Sequence, residues 1–121
     1  MSRLPILLRT LSRWLFWPGV LLIIWGELTP SPPDLTAGLD WDKLQHFTAY
    51  FGLASMATMI LGPKPRPFIV LDIILFSGLL ELLQSLTGRD PEIADFAANS
   101  IGAVCGFAAG LLVWRLAARM D

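Results

Sequence analysis

Residues 94–116, A-D-F-A-A-N-S-I-G-A-V-C-G-F-A-A-G-L-L-V-W-R-L, carry no charged side chain between Asp95 and Arg115. An α-helix rising about 1.5 Å per residue needs roughly 20 apolar residues to cross the hydrocarbon of a bilayer. Within the stretch Ala98, Gly102, Gly106 and Gly110 recur every four residues, so they line one side of a helix. Small residues at that spacing let a second backbone approach closely, where lipid leaves little hydrophobic force to hold helices together. The stretch predicts a transmembrane helix packed against a neighbour along its glycine side.

The same reading extends to residues 11–28, 44–62 and 68–87. Apolar residues make up 55% of the 121-residue chain and charged ones 16%, against roughly 25% charged in a soluble domain. A soluble protein of this size has too much surface to cover with so few charges. The breaks between segments are rich in proline and glycine: T-P-S-P-P-D-L-T-A-G at 29–38, G-P-K-P-R-P at 62–67 and G-R-D-P-E at 88–92. An eight-stranded membrane barrel needs more chain than this. Arg3, Arg9 and Arg13 precede an apolar run at 14–25, but no small-x-small cleavage pattern follows, so the first helix is expected to be retained. The expected fold is all-α: a polytopic membrane protein, one domain over residues 1–121, built as a four-transmembrane-helix bundle.

Orientation follows from the basic residues. Alternating the segments places Arg3, Arg9, Arg13, Lys64, Arg66, Arg115 and Arg119 on one side and only Lys43 and Arg89 on the other. The positive-inside rule then puts both termini in the cytoplasm. Arg13 and Glu27 are expected to snorkel to the two interfaces, and Trp14, Trp17 and Trp25 to anchor there. Asp72 reads as structural or snorkelling. Cys105 reads as a small buried apolar residue.

With this orientation the polar residues gather at the outer ends. Lys43, His46 and Tyr50 follow a 3, 4 spacing on one face of the second helix, with Asp42 before them. Glu81 and Gln84 share a face of the third, with Arg89 beyond. Asp95 and Asn99 share a face of the fourth, beside the glycine stripe. Asp42 and Asp95 have ordinary roles as helix-start acids, His46 as an interfacial histidine, Tyr50 as a belt aromatic and Arg89 as a headgroup contact. Glu81 does not fit an ordinary role, because it lies about two turns inside its helix, and a carboxylate in lipid costs roughly 2.5–3.5 kcal/mol. It is expected to face protein, with Arg89, His46 or Asn99 as partner. One histidine and one cysteine far apart form no zinc or redox motif, so no metal and no cofactor are expected. G-x-S-x-G and Gly-rich phosphate loops are absent.

D-K-L-Q-H-F-T-A-Y at 42–50 resembles the first signature of the VanZ-like family of small bacterial membrane proteins. E-x-x-Q, then R, then D-x-x-x-N-x-x-G-x-x-x-G, over residues 81–106, resembles its second. The resemblance covers nearly the whole chain except the first helix. It implies a multi-pass protein of the bacterial cytoplasmic (inner) membrane with a cell-envelope role, related to glycopeptide (teicoplanin) resistance. It marks Asp42, Lys43, His46, Tyr50, Glu81, Gln84, Arg89, Asp95 and Asn99 as the family's polar set and supplies no reaction. The leading expectation is a non-enzymatic protein binding a lipid headgroup or a lipid-linked envelope precursor, with no nucleic-acid partner. Two alternatives stay open: an intramembrane enzyme on a phosphoryl- or glycosyl-lipid, using His46, Glu81 or Asp95, and a purely structural protein.

Overall fold

The computed structural model describes residues 3–29, 42–88 and 91–120. Four helices account for nearly all of them: α1 Arg3–Leu28, α2 Asp42–Leu61, α3 Phe68–Gln84 and α4 Ile93–Arg119. A 3-10 turn, Ser85–Thr87, extends α3, and no strand occurs among the described residues. α1 starts at Arg3 rather than at residue 11, because Leu4, Ile6, Leu7 and Leu8 continue the helix and arginine is itself a good helix former. Pro18 sits inside α1 and removes one ladder donor. α4 continues past residue 116 to Arg119.

Glycine ends two of the helices. Gly62, at φ 98°, donates its N–H to the Thr58 carbonyl at 3.1 Å and closes α2. Gly88, at φ 83°, ends the 3-10 turn. Both adopt the left-handed conformation that a side chain resists. Pro67 then opens α3 at its N-cap, near the turn whose N–H groups have no helical partner.

Contacts fix an alternating bundle. Arg9 lies by Ile60 and Glu27 by Tyr50, so α1 and α2 are antiparallel. Ser77 pairs with Asn99 and Gly78 lies by Phe96, so α3 and α4 are too. α2 and α4 run parallel: Lys43 meets Asp95 at one end and Met59 meets Trp114 at the other. This parallel pair is the most extensive interface, and the glycine side of α4 makes it. A Cβ added at Gly102 or Gly106 would strike the Phe47 or Phe51 carbonyl oxygen, and one at Gly110 would stand 2.8 Å from the Thr58 Cβ. Ser55 adds a hydrogen bond to the Gly106 carbonyl at 3.1 Å. At the lower end Arg9 and Arg66 donate to the Ile60 and Leu61 carbonyls, satisfying the open C-terminus of α2.

The polarity runs opposite to that of a soluble protein. Trp14, Trp17, Leu21, Leu75, Leu82 and Leu112 face outward, while Thr58, Ser77, Gln84 and Asn99 are fully enclosed. Three helical segments, Arg3–Leu28, Phe68–Thr87 and Ile93–Arg119, are long and apolar enough to cross a membrane by length and composition. α2 is not among them, since Asp42, Lys43, Gln45 and His46 crowd its start. Cys105 corrects an expectation: it is exposed on the bundle surface, because Gly102, Ala103 and Gly106 take the inward positions and Cys105 stands about 100° round the helix from Gly106.

Candidate functional site

All four helices deliver polar side chains to the same end of the bundle. Glu27 is the penultimate residue of α1. Asp42, Lys43, His46 and Tyr50 occupy the first turns of α2. Ser77, Glu81 and Gln84 line one face at the end of α3, at spacings of four and three. Asp95 and Asn99 occupy the first two turns of α4, following Glu92 at its N-cap.

An outer layer centres on Lys43. Its ammonium contacts Asp42 Oδ2 at 2.8 Å, Glu92 Oε2 at 2.6 Å and Asp95 Oδ1, tying the starts of α2 and α4 together. Lys43 precedes the span expected at residues 44–62. Loss of water lowers its pKa, but hydrogen bonds to Asp42, Asp95 and Glu92 outweigh that and hold the group above the usual lysine range. The same hydrogen bond from Lys43 holds the Asp42 carboxyl below the usual carboxylate range. Asp95 therefore does more than begin a helix: it is 5% exposed and is held by a lysine from another helix.

The inner layer centres on His46. Its Nδ1 lies 3.0 Å from Asn99 Oδ1 and 3.7 Å from Glu27 Oε1, and its Nε2 lies 3.5 Å from Asp95 Oδ2. Asn99 donates its Nδ2 to Ser77 Oγ at 2.8 Å, which turns its oxygen toward the imidazole. Tyr50 donates its hydroxyl to Glu27 Oε1 at 3.0 Å, and Gln84 donates to the Glu27 main-chain oxygen at 2.9 Å. Glu81 completes the layer: Glu27, His46 and Glu81 each offer a ligand atom, all within 4.8 Å of one another. Asp42, Glu92 and Asp95 make a second such group around Lys43.

The structure thus brings together Asp42, Lys43, His46, Tyr50, Glu81, Gln84, Asp95 and Asn99. Arg89 lies outside the described residues. Ala98 is half-buried beside the glycine stripe. Two contributors are new. Glu27 does not snorkel to the interface; it is 6% exposed and faces Tyr50 and His46, because its side of α1 also carries the inward-packed Val20 and Ile23. Ser77, 0% exposed, gave no signal in an apolar helix, although it lies one turn from Glu81 on the same face.

Chemically, the cluster is rich in acceptors. Glu27, Asp42, Glu81, Glu92 and Asp95 outnumber Lys43 and His46 among the described residues. Such a set suits amines, hydroxyls, protons or metal ions. The fold and site define a helical bundle with an apolar exterior and a polar centre at one end, three of its helices long enough to span a membrane. No family model matches the chain, no curated protein matches it and no solved structure matches it.

Proposed function

We propose that the protein is a VanZ-like integral protein of the bacterial cytoplasmic membrane, with four spanning helices and both termini inside. Its extracytoplasmic polar cluster binds the headgroup of a membrane lipid or of a lipid-linked envelope precursor. The motifs at 42–50 and 81–106 support the family and an envelope role related to glycopeptide (teicoplanin) resistance. Arg9, Arg66 and Lys64 at the opposite end support the orientation.

One observation carries the binding reading: polar side chains from all four helices converge at one end of a bundle whose exterior is apolar. Ionisable groups inside a membrane are costly and mark sites where function holds them. The outer carboxylates Asp42 and Glu92 are more than half exposed on their side chains, so they accept from amine or hydroxyl groups of a headgroup. Native mass spectrometry of the purified chain tests this. Amine- or hydroxyl-rich lipids should remain bound, and Asp42→Asn with Glu92→Gln should reduce their retention several-fold. Equal retention in both proteins, or no lipid retained, refutes the reading.

The imidazole between Asp95 and Glu27 favours one second reading, an enzyme on a phosphoryl- or glycosyl-lipid with His46 as base. It requires turnover that disappears in a folded His46→Gln protein.

A further inference from the structure

We propose that Glu27, His46 and Glu81 form a buried site for one divalent transition-metal ion of the zinc type, with Asn99 Oδ1 as a fourth ligand. The inference does not rest on lipid binding.

The donor atoms come first. One imidazole nitrogen and two carboxylates, from α1, α2 and α3, present ligand atoms within 4.8 Å of one another. His46 Nδ1 and Glu27 Oε1 are 3.7 Å apart, too far for a hydrogen bond. Two ligands about 2.0–2.2 Å from a tetrahedral zinc ion stand roughly 3.3–3.6 Å from each other. Asn99 Oδ1 is 3.0 Å from the same nitrogen, a hydrogen-bond distance that opens by about 0.3–0.6 Å when the two share an ion.

The surroundings of His46 bear on which ring nitrogen holds the ion. Both ring nitrogens face oxygen. Nδ1 faces Asn99 Oδ1 and Glu27 Oε1, and Nε2 faces Asp95 Oδ2. A neutral imidazole carries one proton, so one nitrogen turns a lone pair toward oxygen lone pairs; a second ring proton or a cation between the atoms removes that clash. With the proton on Nδ1 the ring donates to Asn99 Oδ1 at 3.0 Å; metal binding moves that proton to Nε2, on the side of Asp95, and turns the Nδ1 lone pair toward Glu27 and Asn99. Asp95 Oδ2, 3.5 Å from Nε2, then closes to hydrogen-bond distance and orients the ligating ring, as a carboxylate behind a metal-bound histidine does.

The supporting residues fit the same assignment. Lys43 anchors Asp95. Tyr50 donates to Glu27 Oε1 and fixes that carboxylate. Ser77 accepts from the Asn99 amide and leaves Asn99 Oδ1 for the ion. Two buried carboxylates this close repel each other when both are charged, and a dication between them reverses that term. A nitrogen among carboxylates favours zinc over calcium or magnesium, with manganese intermediate.

The test uses the full chain in detergent, stripped with a chelator and dialysed, then given Zn²⁺ alone or Mn²⁺ alone. Elemental analysis should find one Zn²⁺ per chain, and Zn²⁺ should raise the unfolding temperature. Co²⁺ in place of zinc should give visible absorption bands that Zn²⁺ abolishes, a readout on the unaltered protein. Glu81→Gln and His46→Gln should each reduce bound Zn²⁺ to near zero, while Glu92→Gln keeps one. Asp95→Asn should weaken zinc affinity by about 10–100-fold without abolishing it, as loss of a supporting carboxylate does. No zinc on the unaltered protein, with no cobalt spectrum, overturns the proposal and assigns the His46 nitrogens to protons. Zinc lost equally from Glu92→Gln and Glu81→Gln also overturns it, by moving the ion to the Lys43 layer. Lipid retention is measured separately, so the two readings fail separately.

Discussion

Gly106→Ala adds one methyl group to the closest backbone approach in the bundle. The new Cβ would meet the Phe51 carbonyl oxygen and lie 3.0 Å from both the Phe51 carbonyl carbon and the Ala54 Cβ. None of these atoms is the tip of a flexible side chain, so α2 and α4 must separate. Ordinary carbon–oxygen contacts sit near 3.3–3.6 Å, so the separation is on the order of 1 Å. A gap of about 0.5–1 Å forfeits a quarter to a half of each dispersion contact along the interface, and overpacking of this kind costs about 1–3 kcal/mol. Replacing glycine in a helix returns about 0.5–1 kcal/mol of backbone entropy. The net expectation is a loss of up to about 2.5 kcal/mol, near 1 kcal/mol at mid-range. Gly52→Ala is the internal control: nothing lies within 4 Å of its added Cβ, so it should stabilise by about 0.5–1 kcal/mol. Reversible unfolding in detergent micelles measures both. If Gly106→Ala is as stable as Gly52→Ala, the glycine side of α4 does not form the tight contact with α2.

Tyr50→Phe removes the hydroxyl that donates to Glu27 and should cost about 1.5–3 kcal/mol in the same assay, the range for a hydrogen bond to a charged group. Lys43→Met leaves Asp95 buried without its lysine. It should cost about 1–2 kcal/mol, less than a fully buried pair because Lys43 is partly solvated, and Asp95→Asn in that background should recover much of the loss. An additive double mutant would show that the two act separately. In a Cys105→Ala background, Glu92→Cys should react with a membrane-impermeant thiol reagent added outside cells and Lys64→Cys should not; the reverse labelling would invert the proposed orientation. Leu112→Ala, on the exposed side of α4, should change stability by under about 0.5 kcal/mol, and a larger loss would place that side in a contact.

Charge spacing alone predicts four helices, and paired spacings alone predict the one-ended polar set. Both signals survive because a charge or amide in an apolar stretch is conspicuous. The inward position of Glu27 is hidden for the converse reason. It closes a segment apolar on every side, so periodicity could not show which face of α1 turns inward, and a terminal acid reads as an interfacial one. The available signal was the run Val20, Ile23, Glu27 at helical spacing. Cys105 was misread because apolar character does not separate the lipid-facing from the packed side in such a helix. The small residues do, and the two sides of Gly106 decide it. The Glu27–His46–Glu81 grouping has no linear signature, since each member comes from a different helix. Metal motifs are legible in sequence when at least two ligands share one turn or loop.

The parallel pairing of α2 with α4 has a consequence for how the chain is made. Its closest contacts join residues some 51 to 55 positions apart, as in Ser55 with Gly106 and Met59 with Trp114. Two parallel helices cannot be joined by a hairpin, so α3 has to be completed before this interface can begin to form. α2 must therefore wait for α4 to be synthesised, holding Lys43 and His46 without the carboxylate and amide of α4. Long-range contacts of this kind close late and leave the waiting segment exposed to wrong partners. A stop codon just ahead of Ile93 would remove the partner of α2 while leaving that helix already made.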